Sequence, residues 1–286
     1  MTDIANTDEY EAWNGASGQR WVLNADRRDR ILAPVADALL AAAHIVPGQA
    51  VVDIGCGCGV TTLAAAQAVG PAGTVHGLDL SEPMLGVARR RAEASGLSNL
   101  TLVQGDAQTY PPPRQFDFAI SRFGTMFFAD QITAFTNIGR GIRPGGRLCL
   151  ATWQAFETND WLTIPFAALP PDASLPNSAA DGPGMFAQSD AETVTTTLEA
   201  AGYTDVHLEP IRLTFALGAD PQEATEYVAT TGICRTALDS MPDEQRPAAL
   251  EAVRAALADH AEGDGVRLGA AIWIITATHQ GRQRTS

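Results

Sequence analysis

Lysine is absent from this chain of 286 residues, and all 19 basic residues are arginine. This absence excludes a Schiff-base lysine, a pyridoxal phosphate anchor and the lysine of a Walker A phosphate loop. The chain also lacks an apolar run that approaches the ~20 residues of a membrane-spanning helix. Its polar N-terminus, MTDIANTDEYEAW, is not typical of a signal peptide. We therefore expect a cytoplasmic protein without a membrane partner.

Cysteine and positive charge are scarce. Cys56 and Cys58 are the one close pair among four cysteines, and no second pair completes a zinc site, so we predict no metal. The net charge of −14 and the pI of about 4.6 would repel a phosphate backbone, so we expect no nucleic acid partner. The assembly state is left open between a monomer and a homodimer.

Strands alternate with helices along most of the chain. This alternation predicts an α/β fold, with a parallel sheet covered by helices on both faces. The predicted strands are 50–54, 75–80, 100–104, 116–121, 147–153, 203–208 and 269–279. The predicted helices are 31–43, 61–69, 82–95, 129–142, 191–201 and a helical region at 221–262. The proline-rich residues 154–188 are predicted to be irregular, and the last residues to be frayed.

The stretch VVDIGCGCGVTTLAAA joins the first predicted strand to a helix through Gly55, Gly57 and Gly59. One glycine would satisfy a tight turn that needs a positive φ. Three at alternate positions favour a loop on which a ligand lies against main chain. In an open parallel sheet, ligands bind beyond the carboxyl ends of the strands, where this loop falls.

The glycine spacing does not fit a dinucleotide fingerprint. A G-x-G-x-x-G motif would place its third glycine at position 60 or 62, where the chain has Val60 and Thr62. Asp53 ends the strand where a pyrophosphate would have to lie, and two negative charges would repel each other there. The carboxylate suits a ligand that carries an ammonium group and no phosphate.

Three acidic residues follow three successive strands. Asp79 lies 26 residues after Asp53, and Asp106 lies 27 residues after Asp79, so each interval equals one βα unit. All three should therefore reach one edge of the sheet. A carboxylate at Asp79 can accept hydrogen bonds from a ribose diol, and Asp106 can accept from an exocyclic amine. The pattern predicts a nucleoside site.

The successive segments VVDIGCGCG, VHGLDLSEPML, VQGDAQ, FDFAISRFGTMFF and IRPGGRLCLATW resemble the motifs of class I S-adenosylmethionine (SAM) dependent methyltransferases. They are most similar to the group that includes the ubiquinone and menaquinone C-methyltransferases (type 11). The resemblance covers about residues 45–155. It implies a Rossmann-like, doubly wound, seven-stranded, mostly parallel sheet whose last strand is antiparallel. We divide the chain into an N-terminal helical segment, 1–44, that covers the site, and a core, 45–286, with a helical cap inserted at about 216–266.

The resemblance also implies SAM as the cofactor, S-adenosylhomocysteine (SAH) as the product, and a role for each matching position. Asp53 and the glycines would line the methionine end, Asp79 would hold the ribose, and Ser121 and Arg122 would lie near the sulfonium. The residues implied to bind the cofactor are Asp53, Gly55, Cys56, Gly57, Gly59, Asp79, Leu80, Met84, Asp106, Ala107, Ser121 and Arg122. For the cysteines, packing as small apolar groups is favoured over redox chemistry.

The acceptor pocket must come from segments above the strand ends. The N-terminal segment contributes aromatic residues there, and so does the loop after the fourth strand. The candidates are Tyr10, Trp13, Trp21, Phe123, Met126 and Phe127. For the phenylalanines of the loop, packing in the core is an equally good interpretation. Tyr10 and Arg122 are the polar groups we expect nearest the reaction centre.

Methyl transfer is an in-line displacement with a neutral leaving group, so positioning can supply most of the catalysis. A general base is needed only for an acceptor that must lose a proton. Topology places no histidine there: His44 and His279 fall at the far end of the sheet, His76 lies inside a strand, and His207 and His260 suit the surface. The catalytic residues are therefore unknown.

Three interpretations remain. The leading one is a methyltransferase that acts on a small, partly apolar molecule at an O, N or C atom. The alternatives are a SAM-binding sensor or partner protein without catalysis, and, less favoured, a nicotinamide-dependent oxidoreductase. A nucleic-acid methyltransferase is disfavoured, because Ser121-Arg122 does not match the Asn-Pro-Pro-aromatic motif of that class. Magnesium-assisted catechol methylation is disfavoured too, because no Asp/Asn cluster follows the fourth strand.

Overall fold

A single sheet organises the computed structural model, which describes residues 4–112, 115–170 and 183–281. Its strands are β1 (Ala50–Ile54), β2 (Thr74–Asp79), β3 (Leu100–Gln104), β4 (Phe116–Arg122), β5 (Ile142–Trp153), β6 (Tyr203–Gly218), β7 (Ala261–Glu262) and β8 (Gly265–His279). Their order across the sheet is β3-β2-β1-β4-β5-β8-β6, and the short β7 pairs with β8 off this path. The alternation of elements in the sequence therefore predicted the fold class.

The sheet is parallel except at β8. β1 pairs in parallel with β2 and β4, whereas β8 is antiparallel to both of its long neighbours, β5 and β6. The antiparallel last strand is confirmed. The structure has eight strands where seven were expected, and the additional one is the two-residue β7.

Helices precede, connect and follow the strands. They are α1 (Thr7–Asn14), α2 (Ala16–Leu23), α3 (Ala25–Ile31), α4 (Ala33–Ala43), α5 (Val60–Val69), α6 (Glu82–Ser95), α7 (Gln131–Gly141), α8 (Asp160–Ala167), α9 (Ala191–Ala200), α10 (Pro221–Val228), α11 (Gly232–Asp239) and α12 (Arg246–Ala258). Ser81 begins α6 by accepting a hydrogen bond from the Met84 N–H, as its N-cap position predicted. Gly96, in the left-handed conformation, ends the same helix.

The core lies on both faces of the sheet because side chains alternate along each strand. Val51 and Phe118 pack on one face with Leu39 of α4. Val52 and Leu148 pack on the other face with neighbours that include α7 and α9. Burial of each such side chain stabilises the fold by roughly 1.5–3 kcal/mol. The acidic strand ends are thus held on a rigid, doubly covered sheet.

The structure also differs from the sequence prediction in several further places. β5 begins at Ile142 rather than at residue 147. Helix α8 lies inside the region expected to be irregular, of which 171–182 is outside the described residues, as are 282–286 of the tail. β6 continues to Gly218, well beyond the predicted end at 208. Helices α10 to α12 fall between β6 and β8, where the cap was expected, and the division of the chain at residue 44 stays a prediction.

Candidate functional site

The carboxyl ends of β1, β2 and β4 form the rim on which the predicted site residues lie. Asp53 is in register with Gly77 of β2 and Ile120 of β4, so the rim begins one or two residues beyond each. Asp79 is in register with Gln104 of β3, two residues before Asp106. The parallel register therefore brings the three acidic residues to one edge, as their spacing predicted.

The loop after β1 turns at its glycines. Gly55, Gly57 and Gly59 have φ angles of +67°, +54° and +86°, a region that side chains rarely adopt. A Cβ at Gly55 would lie 2.6 Å from the Cα of Gly124, in the loop after β4. A Cβ at Gly57 would lie 2.8 Å from the Cε of Met84. Backbone geometry and packing thus account for the glycines, and their contact with a ligand stays a prediction.

Asp53 is fully buried, with 0% of its surface exposed. Its Oδ2 accepts hydrogen bonds from the hydroxyls of Thr61 and Thr62, at 2.7 and 2.6 Å. Its Oδ1 is buried without a hydrogen-bond partner among the described residues. Burial raises the pKa of Asp53 to about 6, opposed by the two threonine hydroxyls and by the positive charge of Arg122. The carboxylate near the end of β1 therefore has one oxygen that could still accept a hydrogen bond.

Arg122 ends β4 beside this carboxylate. Its Nη2 lies 3.7 Å from Oδ1 of Asp29 on α3, whereas its Nη1 is buried with no hydrogen-bond partner in the part of the chain described. Burial lowers the pKa of Arg122, and the negative charges of Asp29 and Asp53 oppose that effect. A guanidinium stays charged in proteins, so this corner holds a cation and an anion that each have one buried atom without a hydrogen-bond partner in the described chain.

Asp79 supports the glycine loop from β2. Its Oδ2 accepts from the Gly57 N–H and its Oδ1 from the Ser81 N–H, both at 2.7 Å. Burial raises the pKa of Asp79 to about 6, and these two N–H groups oppose the rise. A carboxylate has about four lone-pair positions, so two remain for further donors such as a diol.

Asp106 is engaged by the chain itself. Its Oδ2 accepts from the N–H groups of Ala5 and Asn6, both at 3.0 Å, and its Oδ1 accepts from the Gln108 N–H at 2.9 Å. Only 1% of Asp106 is exposed. The carbonyl of the neighbouring Ala107 accepts from the Asn137 amide at 2.9 Å. The start of the described chain therefore lies where an adenine edge was predicted.

The loop after β2 also contacts the N-terminal segment, residues 4–44. The Leu80 carbonyl accepts from the amides of Asn14 and Gln104, at 2.9 and 3.0 Å. The Ser81 hydroxyl donates to the carbonyl of Trp13 at 2.7 Å. Met84 is buried in a small cluster with Ala25 and Cys58. Helix α1 and the turn to α2 thus lie against the loop that precedes α6.

The predicted pocket residues fall into two groups. The ring of Trp13 contacts those of Trp21 and Phe127, at centroid distances of 5.8 and 5.4 Å. Phe123 instead stacks on Trp153 at 4.2 Å, in the core. Phe123 also has a φ of +67°, a strained conformation for a bulky residue beside the candidate site.

The remaining candidates for the acceptor pocket differ in burial. Met126 is buried in the core, and Tyr10 is half-buried on α1. The Ser121 hydroxyl donates to the Ile54 carbonyl at 2.7 Å and so joins the ends of β4 and β1.

Burial raises the pKa of Cys58 to about 12 and that of Cys56 well above its usual value. Buried, protonated thiols fit the packing role favoured for both cysteines.

Sequence reasoning did not identify Arg28, Asp29 or Tyr227. Asp29 joins Arg122 to Arg91, whose Nη2 lies 2.8 Å from Asp29 Oδ2. The guanidinium of Arg28 stacks on Trp21, with its central carbon 4.6 Å from the ring centroid. The available signal was the charge-dense run ADRRDR, which is equally typical of a solvated helix face.

The remaining predictions concern a metal site, a membrane-spanning helix and the histidines. In that part of the chain, no group of three or more His, Cys, Asp and Glu side chains is arranged to hold a metal ion. Each helix described is too short or too polar to cross a bilayer. His279 is the last residue of β8, where the neighbouring Thr278 pairs with Arg147 near the start of β5, far from the rim.

The part of the chain that forms the rim is similar to known proteins. Residues 51–146 match the family model described as "Methyltransferase domain". This segment is therefore similar to methyltransferase domains. It contains the glycine loop, all three acidic residues and the loop after β4, and it lies within the part of the chain where the sequence resemblance was seen.

Two curated relatives are similar to part of this chain. The demethylmenaquinone methyltransferase of Geobacillus stearothermophilus is 39% identical over 113 residues, which is 39% of this chain and 48% of the relative. The aklanonic acid methyltransferase DauC of Streptomyces sp. (strain C5) is 35% identical over 140 residues, 49% of this chain and 61% of the relative. The chain thus spans about half the length of the curated relatives that it matches.

A solved structure shows that the likeness of fold extends beyond the domain. Phosphoethanolamine N-methyltransferase 2 of Haemonchus contortus, in complex with SAM, superposes with a TM-score of 0.58 and 18% identity. The match covers 97% of this chain and 60% of that one. At this identity the comparison supports the fold alone.

Proposed function

We propose that this chain is a SAM-dependent methyltransferase that transfers a methyl group to a small, partly apolar molecule. The acceptor atom, O, N or C, is left open. Two features support the proposal: the methyltransferase domain at 51–146, and the polar groups that this particular chain presents at its rim. The second feature carries the argument, because it concerns the residues that would hold the cofactor.

The deciding observation is the pair of buried atoms without hydrogen bonds on two oppositely charged groups, at the ends of β1 and β4. Asp53 Oδ1 and Arg122 Nη1 are both buried without a partner among the described residues. The methionine part of SAM carries an ammonium and a carboxylate, which complement these two groups. A buried charge without a partner is costly, and charge-assisted hydrogen bonds to a ligand would offset that cost. The residues at this end of the site therefore fit SAM.

The nucleoside end has a different character. Asp79 keeps lone pairs free for the ribose diol, whereas Asp106 is occupied by the N–H groups of Ala5 and Asn6. We propose that residues 4–6 move when adenine binds, and that the N-terminal segment then covers the cofactor. Leu80 and Met84 would pack on the base, and the peptide of Ala107 would read its edge.

SAM supplies a methyl carbon bonded to a positively charged sulfur, which an acceptor can attack in line. The chain contributes by holding the acceptor and the methyl group in line, which can supply on the order of 7–11 kcal/mol of the barrier. The aromatic rings of Trp13, Trp21 and Phe127, which contact one another, would help to exclude water when the ligands are bound. Among the described histidines none lies at the rim, so we assign no general base.

We propose a small-molecule acceptor rather than a macromolecule. The relatives are named for demethylmenaquinone and aklanonic acid, and the net charge of −14 disfavours nucleic acid. We place the enzyme in the cytoplasm, as a monomer or homodimer. The name of a relative cannot fix the acceptor here, because only about half of each relative is matched.

The test is made with the purified protein in two steps. Calorimetric titration with SAH and, separately, with NAD measures which nucleoside binds. Incubation with SAM labelled on its methyl group and a metabolite extract then measures transfer. We expect SAH to bind and label to appear in a small, extractable product. Binding of NAD without SAH would contradict the proposal in favour of an oxidoreductase. SAH binding without transfer to any fraction would favour a sensor.

A variant ties the result to the rim. Asp79→Ala removes the acceptor of the ribose diol, and we expect it to abolish SAH binding. Asp190→Ala is a matched control, since Asp190 likewise accepts a backbone N–H, that of Thr193, but at the start of α9. Unchanged SAH affinity in folded Asp79→Ala protein would reject the ribose assignment.

A further inference from the structure

Arg28 of α3 is a buried cation with unused donors. It is 8% exposed, and its one hydrogen bond to the described chain runs from Nη2 to the Thr230 carbonyl, at 3.0 Å. Its Nε is buried and has no partner among the described residues.

The neighbouring arginines differ from Arg28 because each of them has an acidic partner. Arg91 pairs with Asp26 and Asp29, and Arg122 faces Asp29. Arg27, next to Arg28 in the chain, faces Glu223 at 3.7 Å. Each of these side chains has a carboxylate within 4.0 Å, and Arg28 is the one placed in the interior without such a partner in the described structure. A buried cation is disfavoured unless an anion compensates it, so the fold leaves this position open to an anionic ligand.

The surroundings of Arg28 are aromatic and lie toward the reaction centre. Its guanidinium carbon is 4.6 Å from the Trp21 ring centroid and 6.0 Å from that of Tyr227, on α10. Tyr227 is 2% exposed, and the positive charges of both Arg28 and Arg122 act on its pKa. Asp29, next to Arg28 on α3, has its Oδ1 3.7 Å from Arg122 Nη2 at the end of β4, so α3 packs beside the candidate site. The N-terminal segment and the cap helix α10 meet here, above the rim.

We propose that Arg28 binds an anionic oxygen of the methyl acceptor, which is therefore an aromatic carboxylate or phenolate. The apolar part of the acceptor would lie against the connected rings of Trp21, Trp13 and Phe127. A planar guanidinium suits this task because it can donate two parallel hydrogen bonds and stack on aromatic rings at the same time. This inference rests on the proposed function, since it names the acceptor class for the same site.

The experiment uses three probes that differ in one group: 2-naphthoate, 2-naphthol and the neutral isostere 2-naphthamide. Each is titrated into protein saturated with SAH, where Arg122 is expected to be paired with the amino acid. We expect at least tenfold tighter binding of naphthoate or of naphthol than of naphthamide. Naphthoate is already ionised at neutral pH, whereas naphthol must release its proton to the buffer to bind as a phenolate. The tighter of these two probes identifies a carboxylate or a phenolate acceptor. Equal affinity for all three probes would overturn the proposal.

Arg28→Gln should remove the preference and leave SAH affinity unchanged. Arg27→Gln is the matched control: Arg27 also ties α3 to the region of the cap, by donating to the carbonyls of Leu217 and Glu223, but it has an acidic partner. A preference that survives in Arg28→Gln, or that is lost equally in Arg27→Gln, would show that Arg28 is a structural tie.

A second variant of Arg28 and titrations without SAH complete the experiment. If Arg28→Gln does not fold, Arg28→Lys is used, because it keeps a positive charge but loses the planar guanidinium. We expect this variant to bind the preferred anionic probe several-fold more weakly, with unchanged affinity for the amide. No change in Arg28→Lys would count against the proposal. If SAH does not bind the wild type, the proposed function fails, and the same probes titrated without SAH still decide on Arg28.

Discussion

Replacing Asp53 with asparagine should weaken cofactor binding and stabilise the protein without ligand. At neutral pH the buried carboxylate is charged, and in the folded protein its pKa is about 6 rather than 3.8. That difference corresponds to about 3 kcal/mol of destabilisation by the ionised group. The amide oxygen of the new asparagine can still accept from Thr61 and Thr62, but the side chain carries no charge. We expect the folded variant to be about 1–3 kcal/mol more stable at pH 7.5, since its new NH₂ group stays unsatisfied.

The same substitution removes the partner of an ammonium group. A hydrogen bond to a charged group contributes about 1.5–3 kcal/mol, so SAH should bind about 10- to 150-fold more weakly. Urea unfolding measures the first effect and calorimetric titration with SAH measures the second. The two effects have opposite signs, which a general disruption of the loop would not produce. Lower stability together with unchanged SAH affinity would refute the reasoning.

The pH dependence follows from the raised pKa of Asp53. Between pH 3.8 and about 6 the folded state binds more protons at this group than the unfolded state, so the destabilisation is full above pH 6 and declines as the pH falls. The stability advantage of Asp53→Asn should therefore shrink by about 1 kcal/mol between pH 7.5 and 5.2. SAH affinity of the wild type should fall about tenfold per pH unit below 6, because the ammonium needs the ionised form.

Asp117 provides a matched control on the same sheet. It lies at the other end of β4 and accepts from the Ala50 N–H at 2.8 Å and from Arg143 at 2.6 Å. Its pKa is lowered by these two partners, although burial opposes them. Asp117→Asn should accordingly destabilise the protein above pH 4 and leave SAH affinity unchanged. A gain in stability there would show that the sign expected for Asp53 is not specific to its burial.

The other predictions concern the glycine loop and the N-terminal contact. Gly55→Ala, whose Cβ would lie 2.6 Å from the Gly124 Cα at a φ of +67°, should cost about 3 kcal/mol of stability in urea unfolding. Gly96→Ala, with the same φ of +67° in the left-handed helical region and open space, should cost only about 1 kcal/mol, and equal losses would contradict the steric argument. Asp106→Ala removes the acceptor of two N-terminal amides, and their hydrogen exchange should accelerate at least tenfold. Unchanged exchange would show that the segment is held by other contacts.

Much of the fold could be predicted from the sequence because local signals agreed with the sheet. The interval of 26–27 residues between the acidic strand ends measures one βα unit, and the structure brings these residues to one rim. β6 was predicted too short because Pro210 cannot donate to a strand ladder. In the structure β6 is an edge strand, paired only with β8, where a missing N–H is tolerated.

Helix α8 could not be predicted from local pattern because long-range contacts stabilise it. It contains Pro165 and begins after Asn159, whose Oδ1 accepts from the Ala271 N–H of β8 at 2.8 Å. Trp161 then packs between Trp153 and Phe215. Arg28 was missed for a similar reason: its burial depends on Tyr227, which lies about 200 residues further along the chain. Side-chain chemistry alone cannot signal that a charged residue will be enclosed.

The two ends of the expected cofactor site differ in what a ligand can gain there. At the adenine end, the Asp106 carboxylate already accepts from Ala5 and Asn6, so a base that replaces them exchanges one set of hydrogen bonds for another. At the amino acid end, Asp53 and Arg122 have buried atoms without partners, so a ligand with both charges satisfies groups that the described chain leaves open. The net gain is therefore concentrated at the amino acid end. A nucleoside without an amino acid can use the free lone pairs of Asp79 but leaves Asp53 Oδ1 and Arg122 Nη1 without partners, which favours SAM and SAH over other adenine nucleosides.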